Sequence, residues 1–147
     1  MQQKLDVYID KRLEIRWVPE INGRGVFATA DIPADTVIER APILHIPTKL
    51  IDMGYWFCQA DGITSESFVI DQYLIEWAPG ISGMPLGWAG IYNHSDNNNS
   101  RLAGWNDVDD SIVGVVTIRD IQAGEQVTVT YGEEFFKKKG YVKKISL

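Results

Sequence analysis

Apolar and polar residues alternate in short runs along the first third of the chain: Leu5, Val7 and Ile9, then Leu13, Ile15 and Trp17. A period of two over so few residues predicts short, half-buried strands. Asn22-Gly23-Arg24-Gly25 reads as a turn feeding a strand at Val26-Phe27-Ala28, its two glycines offering backbone that can take positive φ and let a ligand come close. No helical pattern follows this Gly-x-Gly, which argues against a dinucleotide fingerprint. Asp31-Ile-Pro-Ala-Asp-Thr-Val37 recurs in altered form as Asp120-Ile-Gln-Ala-Gly-Glu-Gln-Val127. Each copy sets a turn ahead of a β-rich run, so two similarly shaped corners are expected rather than the stacked units of a solenoid.

Pro42 and Pro47 interrupt Ile43-Leu44-His45-Ile46, which predicts an edge strand or an extended connection. Met53 to Ala60 and Tyr73 to Trp77 fit a short helix or a buried strand equally, because runs this short cannot be typed by period. Ser65 to Asp71 leans towards strand, and the breakers of Ala78-Pro-Gly-Ile-Ser-Gly83 predict a loop. Arg101 to Trp105 and Ile112 to Thr117 flank the polar Asn106-Asp-Val-Asp-Asp110 as a hairpin. A last strand, Val127 to Tyr131, ends at Gly132-Glu-Glu before the aromatic pair Phe135-Phe136.

Between these β-rich halves lies an apolar run, Leu86 to Tyr92, that ends abruptly in Asn93-His-Ser-Asp-Asn-Asn-Asn-Ser100. It has neither strand nor helix period, and Gly87, Ala89 and Gly90 point to backbone packed against backbone. The amide-rich continuation by itself describes an Asx-rich turn leaving the core.

A length of 147 residues suits one domain, and 45% hydrophobic residues including five Trp, six Tyr and five Phe exclude a disordered chain. No apolar run approaches the roughly 20 residues of a membrane helix. The N-terminus lacks the apolar core of a secretory signal, and the single Cys58 can form no internal disulfide, so an intracellular, cytoplasmic setting is expected. The net charge of −6 is uneven: Lys137, Lys138, Lys139, Lys143 and Lys144 leave nine positive charges against twenty negative elsewhere. Such a body repels phosphate backbones and attracts basic partners, so neither nucleic acid nor membrane is an expected partner. The Lys-rich tail reads as a solvated terminus.

Three blocks in fixed order change this picture. Gly23-Arg-Gly-Val-Phe-Ala28, Ile91-Tyr-Asn-His-Ser95 and Glu125-Gln-Val-Thr-Val-Thr-Tyr-Gly132 together resemble the signature blocks of SET-domain protein lysine methyltransferases, over residues 13 to 136. The chain is most similar to the small stand-alone SET proteins of viruses and bacteria, a single SET domain over 1–147. The resemblance implies a mainly β fold of the β-clip kind: several small antiparallel sheets, short helices and a C-terminal pseudoknot in which the last strand passes under the Asn-His loop. It implies S-adenosylmethionine held at Gly23, Arg24, Gly25, Asn93, His94 and Tyr131, with Phe135 or Phe136 over the adenine and S-adenosylhomocysteine as product. Tyr131 falls at the catalytic position, and Tyr73, Leu102, Val129 and Tyr131 at the lysine channel. His94 is expected to act as structure and ligand wall rather than as a base. No metal is implied, since the Cys-rich segment of larger relatives has no counterpart.

The chemistry sets its own demands. Presenting a neutral lysine amine at pH 7 costs about 4.6 kcal/mol from a pKa near 10.4, and a water-poor channel beside a positive sulfur lowers that pKa. Alignment of amine and methyl can then contribute roughly 7 to 11 kcal/mol, so a dedicated base is not required. Where relatives have Pro-Asn-Ala this chain has Asn98-Asn99-Ser100, losing a proline that would stiffen the loop. A basic, lysine-containing protein segment is the expected substrate, histone-like, ribosomal or nucleoid; the oligomeric state is open, a homodimer included. The alternative is a non-catalytic SET-like module that binds a basic peptide. A nucleotide hydrolase is disfavoured because no acidic cluster is placed for a metal. Relatives halt after one methyl group by means of a tyrosine hydroxyl at either of two channel positions, which align with Val129 and Leu102 here. Neither can hydrogen-bond the amine, so progress to di- or trimethyl-lysine is expected.

Overall fold

The computed structural model describes residues 6–60, 73–105 and 111–132. Among these, ten strands and one helix follow in the order β1 (Tyr8–Ile9), β2 (Leu13–Val18), β3 (Gly23–Ala28), β4 (Val37–Pro47), α1 (Thr48–Ala60), β5 (Ile75–Ala78), β6 (Ile81–Pro85), β7 (Asn93–His94), β8 (Ser100–Trp105), β9 (Ile112–Thr117) and β10 (Gln126–Val129). The larger sheet runs β5-β6-β4-β9-β8, with β1 also paired to β4; the smaller runs β2-β3-β10-β7. All pairings are antiparallel except the parallel one between β10 and β7. The fold is mainly β, as expected. Its core is formed by Leu13, Val26 and Ala28 from the smaller sheet, Ile38, Ile43, Val113 and Val115 from the larger, and Tyr92, Val127 and Val129 where the two meet.

The β8–β9 hairpin forms as expected, and its register sets Ser100 opposite Thr117 and Trp105 opposite Ile112. The echoed segments form matching corners joined by an Ile32–Ile121 bridge, and both isoleucines are buried. Met53 to Ala60 is helical, whereas Ile75–Ala78 is strand. Ser65 to Asp71, the tip at 106–110, Phe135, Phe136 and the Lys-rich tail lie outside the described residues.

Four expectations are corrected. The segment holding Pro42 and Pro47 is no edge: β4 is central, paired with β9 along its first half and with β6 along its second. Pro42 is tolerated because its carbonyl accepts from Leu86 N, the first residue past β6, so the missing N–H falls where the neighbouring ladder has stopped. Residues 78–83 are a tight hairpin rather than a broad loop, with Pro79-Gly80 as its turn and Gly80 at φ +74° between paired Ala78 and Ile81. Gly23 and Gly25 already belong to β3; the turn before them is a single 3-10 turn, Pro19–Ile21, closed by Asn22 at φ 48°. Finally, Leu13 is buried but Ile15 and Trp17 on the same face are exposed, Trp17 to 60%. As the outer strand of its sheet, β2 is buried only at its ends, Leu13 and Val18, and leaves its middle to solvent.

Candidate active site

The site forms where β10 passes between β3 and β7. Val127 pairs with Val26 on one side, while Thr128 and Val129 pair with Asn93 and His94 on the other. The loop that follows β7 then closes over the strand. Ser95 N donates to Val129 O at 2.9 Å; Asn99 Oδ1 accepts from Thr128 N at 2.9 Å, and Asn99 Nδ2 donates to Gln126 O at 2.8 Å. Asn99 is fully buried, so both its amide groups stand in for a missing strand partner of β10. This is the pseudoknot, and it resolves the question raised by the absent proline. A side-chain amide bonded at both ends orders the loop, while Asn98 Nδ2 donates to Ser100 O at 2.8 Å within it.

Asn93 ties the loop to β3. Its Nδ2 donates to Arg24 O at 2.9 Å and to Gln126 Oε1 at 2.8 Å. Gly25 is required by this seam for reasons of space rather than of φ. A Cβ there would stand 2.5 Å from Gln126 Oε1, 2.9 Å from Val18 Cγ2 and 3.0 Å from Asn93 Nδ2. Gly23 is under no comparable pressure, its nearest neighbour beyond the adjoining residues being the Ile21 side chain at 3.6 Å.

His94 is buried, and its Nδ1 accepts from Tyr131 N at 3.1 Å. That bond places the ring proton on Nε2, which donates to Asp96 Oδ1 at 3.1 Å. Both nitrogens are therefore engaged within the protein. The imidazole lies tilted against the Tyr131 ring, centroids 5.5 Å apart. The Tyr131 hydroxyl donates to the backbone carbonyl of Tyr92 at 2.6 Å. Burial pushes the Tyr131 phenol up to about 12, so at neutral pH it stays protonated and remains a donor.

Behind the loop stands a group that the sequence did not single out. Glu39 is fully buried, and its Oε1 accepts from Trp88 N at 2.6 Å and Ala89 N at 3.1 Å while its Oε2 accepts from the Tyr92 hydroxyl at 2.8 Å. Burial raises its pKa against the opposing effect of these three donors. The Tyr92 hydroxyl is driven well above its usual value by its own burial and by the Glu39 charge. An acid in the strand run Val37-Ile38-Glu39 was the available signal, but strand period alone places it at a solvated position.

The structure thus brings Arg24, Gly25, Asn93, His94 and Tyr131 into one connected group, with Gly23 at the head of the same strand. Of the channel residues, Val129 is buried in the core, Leu102 is half-buried against it, and Tyr73 is partly exposed with its backbone against Gly90. Among the described residues no group of three or more His, Cys, Asp or Glu is placed to hold a metal ion, and no helix is long and apolar enough to cross a membrane.

Comparison with known proteins bears on most of the chain. The family model for the SET domain matches residues 23–132. A histone-lysine N-methyltransferase of Schizosaccharomyces pombe, described as H3 lysine-37 specific, is 30% identical over 125 residues, 84% of this chain and 76% of the relative. The crystal structure of a candidate histone methyltransferase from Plasmodium falciparum aligns with a TM-score of 0.58 at 25% identity, over 85% of this chain and 96% of that one.

Proposed function

The chain belongs to the SET-domain family, and on that premise we propose that it methylates lysine side chains in a basic protein segment, using S-adenosylmethionine. The observation that carries this reading is the Tyr131 hydroxyl, fixed by the Tyr92 carbonyl beside the His94 ring at the strand crossing.

The residues present fit the cofactor the family uses. Arg24, Gly25, Asn93 and His94 converge from β3 and β7 on one seam, with the Asn93 Nδ2 and both His94 ring nitrogens already bonded to protein partners. These two side chains shape the wall and leave ligand contact to the surrounding backbone and to Arg24, which is exposed. S-adenosylmethionine supplies a methyl group on a positively charged sulfur. What the chain adds is orientation. With its proton donated to Tyr92 O, the Tyr131 oxygen keeps lone pairs that accept an amine N–H. Because the phenol is neutral, it adds no negative charge that would hold the incoming lysine as ammonium. His94 transfers no proton in this scheme.

The surplus of acidic residues suits a lysine-rich segment as substrate. Incubation with methyl-labelled S-adenosylmethionine and a panel of basic proteins, histones included, tests the reading, with label expected on lysine. Calorimetry with the purified protein separates the alternatives. Heat of cofactor binding is expected; neither heat nor a thermal shift at saturating S-adenosylmethionine would leave only a peptide-binding module.

A further inference from the structure

Glu39 is a buried acidic side chain to which methyl transfer, as described, gives no task. Its surroundings are specific. The β4–β9 ladder shifts register between Val37 and Glu39, and this bulge lets the consecutive residues Ile38 and Glu39 both turn inward. Gly87 makes room for the carboxylate: a Cβ there would overlap Glu39 Oε1 and stand 2.6 Å from Ala41 Cβ. All three donors the carboxylate receives come from one short segment, Trp88 to Tyr92. That segment ends at the carbonyl that takes the Tyr131 hydroxyl.

We propose that Glu39 is a positioning residue for methyl transfer: by gripping the Trp88–Ala89 turn and the Tyr92 hydroxyl, it fixes the Tyr92 carbonyl that aims the hydroxyl of Tyr131. The inference rests on the catalytic reading of Tyr131 given above. A carboxylate suits the task because it is acceptor-only and meets three donors on two oxygens. A glutamine would keep one acceptor for the Trp88 and Ala89 amides and turn an NH2 towards the Tyr92 hydroxyl, reversing that bond and leaving the buried hydroxyl proton without its acceptor. The cofactor seam is held separately, by Asn93, Arg24 and Gln126. The grip therefore acts on kcat and leaves ligand affinity alone.

The test compares Glu39→Gln, Tyr92→Phe and the double variant. Each single change lowers kcat by about 10- to 100-fold, the range expected for a lost hydrogen bond to a charged group, while cofactor Kd and peptide KM stay within about twofold. The double variant falls no further than the worse single change, because both act through one contact. Unchanged kcat per folded molecule in Tyr92→Phe, or full additivity of the two changes, overturns the proposal. A second readout does not depend on activity. In protein labelled with 13C at the hydroxyl-bearing ring carbon of tyrosine, the Tyr131 signal, assigned from its loss in Tyr131→Phe, shifts in Tyr92→Phe and Glu39→Gln. An unmoved signal overturns the proposal even where kcat falls. Absence of methyl transfer by the unaltered protein refutes the proposed function instead, and the tyrosine signal still decides whether Glu39 aims Tyr131.

Discussion

Asp31 and Asp120 each close the turn of the other. Asp31 Oδ1 accepts from Ala123 N at 2.9 Å, and Asp120 Oδ1 accepts from Ala34 N at 2.8 Å. Between them Ile32 and Ile121 exchange both backbone bonds at 2.8 Å. The repeated sequence thus builds a near-symmetric clasp between the two corners that lead into β4 and β10. Asp31→Ala and Asp120→Ala should each lower stability by about 1 kcal/mol, as loss of an exposed cap does, while Asp→Asn at either position keeps the acceptor and changes little. Urea unfolding measures this, and a neutral Asp31→Ala would show that the clasp does not contribute.

The loop over β10 depends on Asn99. Asn99→Ala leaves Thr128 N and Gln126 O without their partner at a buried strand, at a cost of about 2 to 4 kcal/mol when each unmet group costs about 1 to 2. Thermal unfolding of the variant checks it. A proline introduced at Asn98 should not compensate, because stiffening the loop supplies neither bond.

Tyr131→Phe removes the hydroxyl and keeps the ring against His94. Most turnover should disappear while S-adenosylmethionine binds with affinity close to that of the parent, as for a group used mainly in the transition state. Turnover at the parental rate would remove Tyr131 from its role.

Buried Glu39 has a pKa raised above its ordinary value near 4.5. A group raised on folding contributes stability below its unfolded pKa and loses it as pH rises through the folded one. The stability of the parent protein relative to Glu39→Gln should therefore decline from about pH 4.5 upward and level off once Glu39 is fully ionised. Paired denaturation curves at several pH values isolate this, since other groups cancel in the difference. A difference that rises with pH would show that the three donors outweigh burial.

We propose that Leu102 and Val129 line the lysine channel, where neither side chain can supply the hydroxyl that would restrain a methylated amine. Product should accordingly progress to di- or trimethyl-lysine with excess cofactor. Mass spectrometry of a peptide at long incubation decides, and a clean halt at monomethyl-lysine would falsify the idea.

The sequence by itself determined the features whose cause is local. The β8–β9 hairpin follows from two alternating runs around a polar tip, and the Asp31 and Asp120 corners from a repeated turn. The ordered Gly-Arg-Gly, Asn-His-Ser and Val-Thr-Tyr-Gly blocks carried the family and, with it, the residues to watch. Tertiary structure decided what depends on segments far apart in the chain. Pro42 looked like an edge marker, yet its lost N–H harms nothing because β6 ends opposite it. Gly25 looked like a flexible turn, yet it is small because Gln126 and Asn93 crowd it. Asn99 looked like turn composition, yet it is buried with both amide ends on β10. Glu39 looked like a solvated strand residue, yet it takes its donors from residues 49 to 53 positions further on. Hydrophobic period reports which face of an element is apolar; it carries no record of which distant backbone group will stand opposite a polar side chain once the strand has passed beneath its loop.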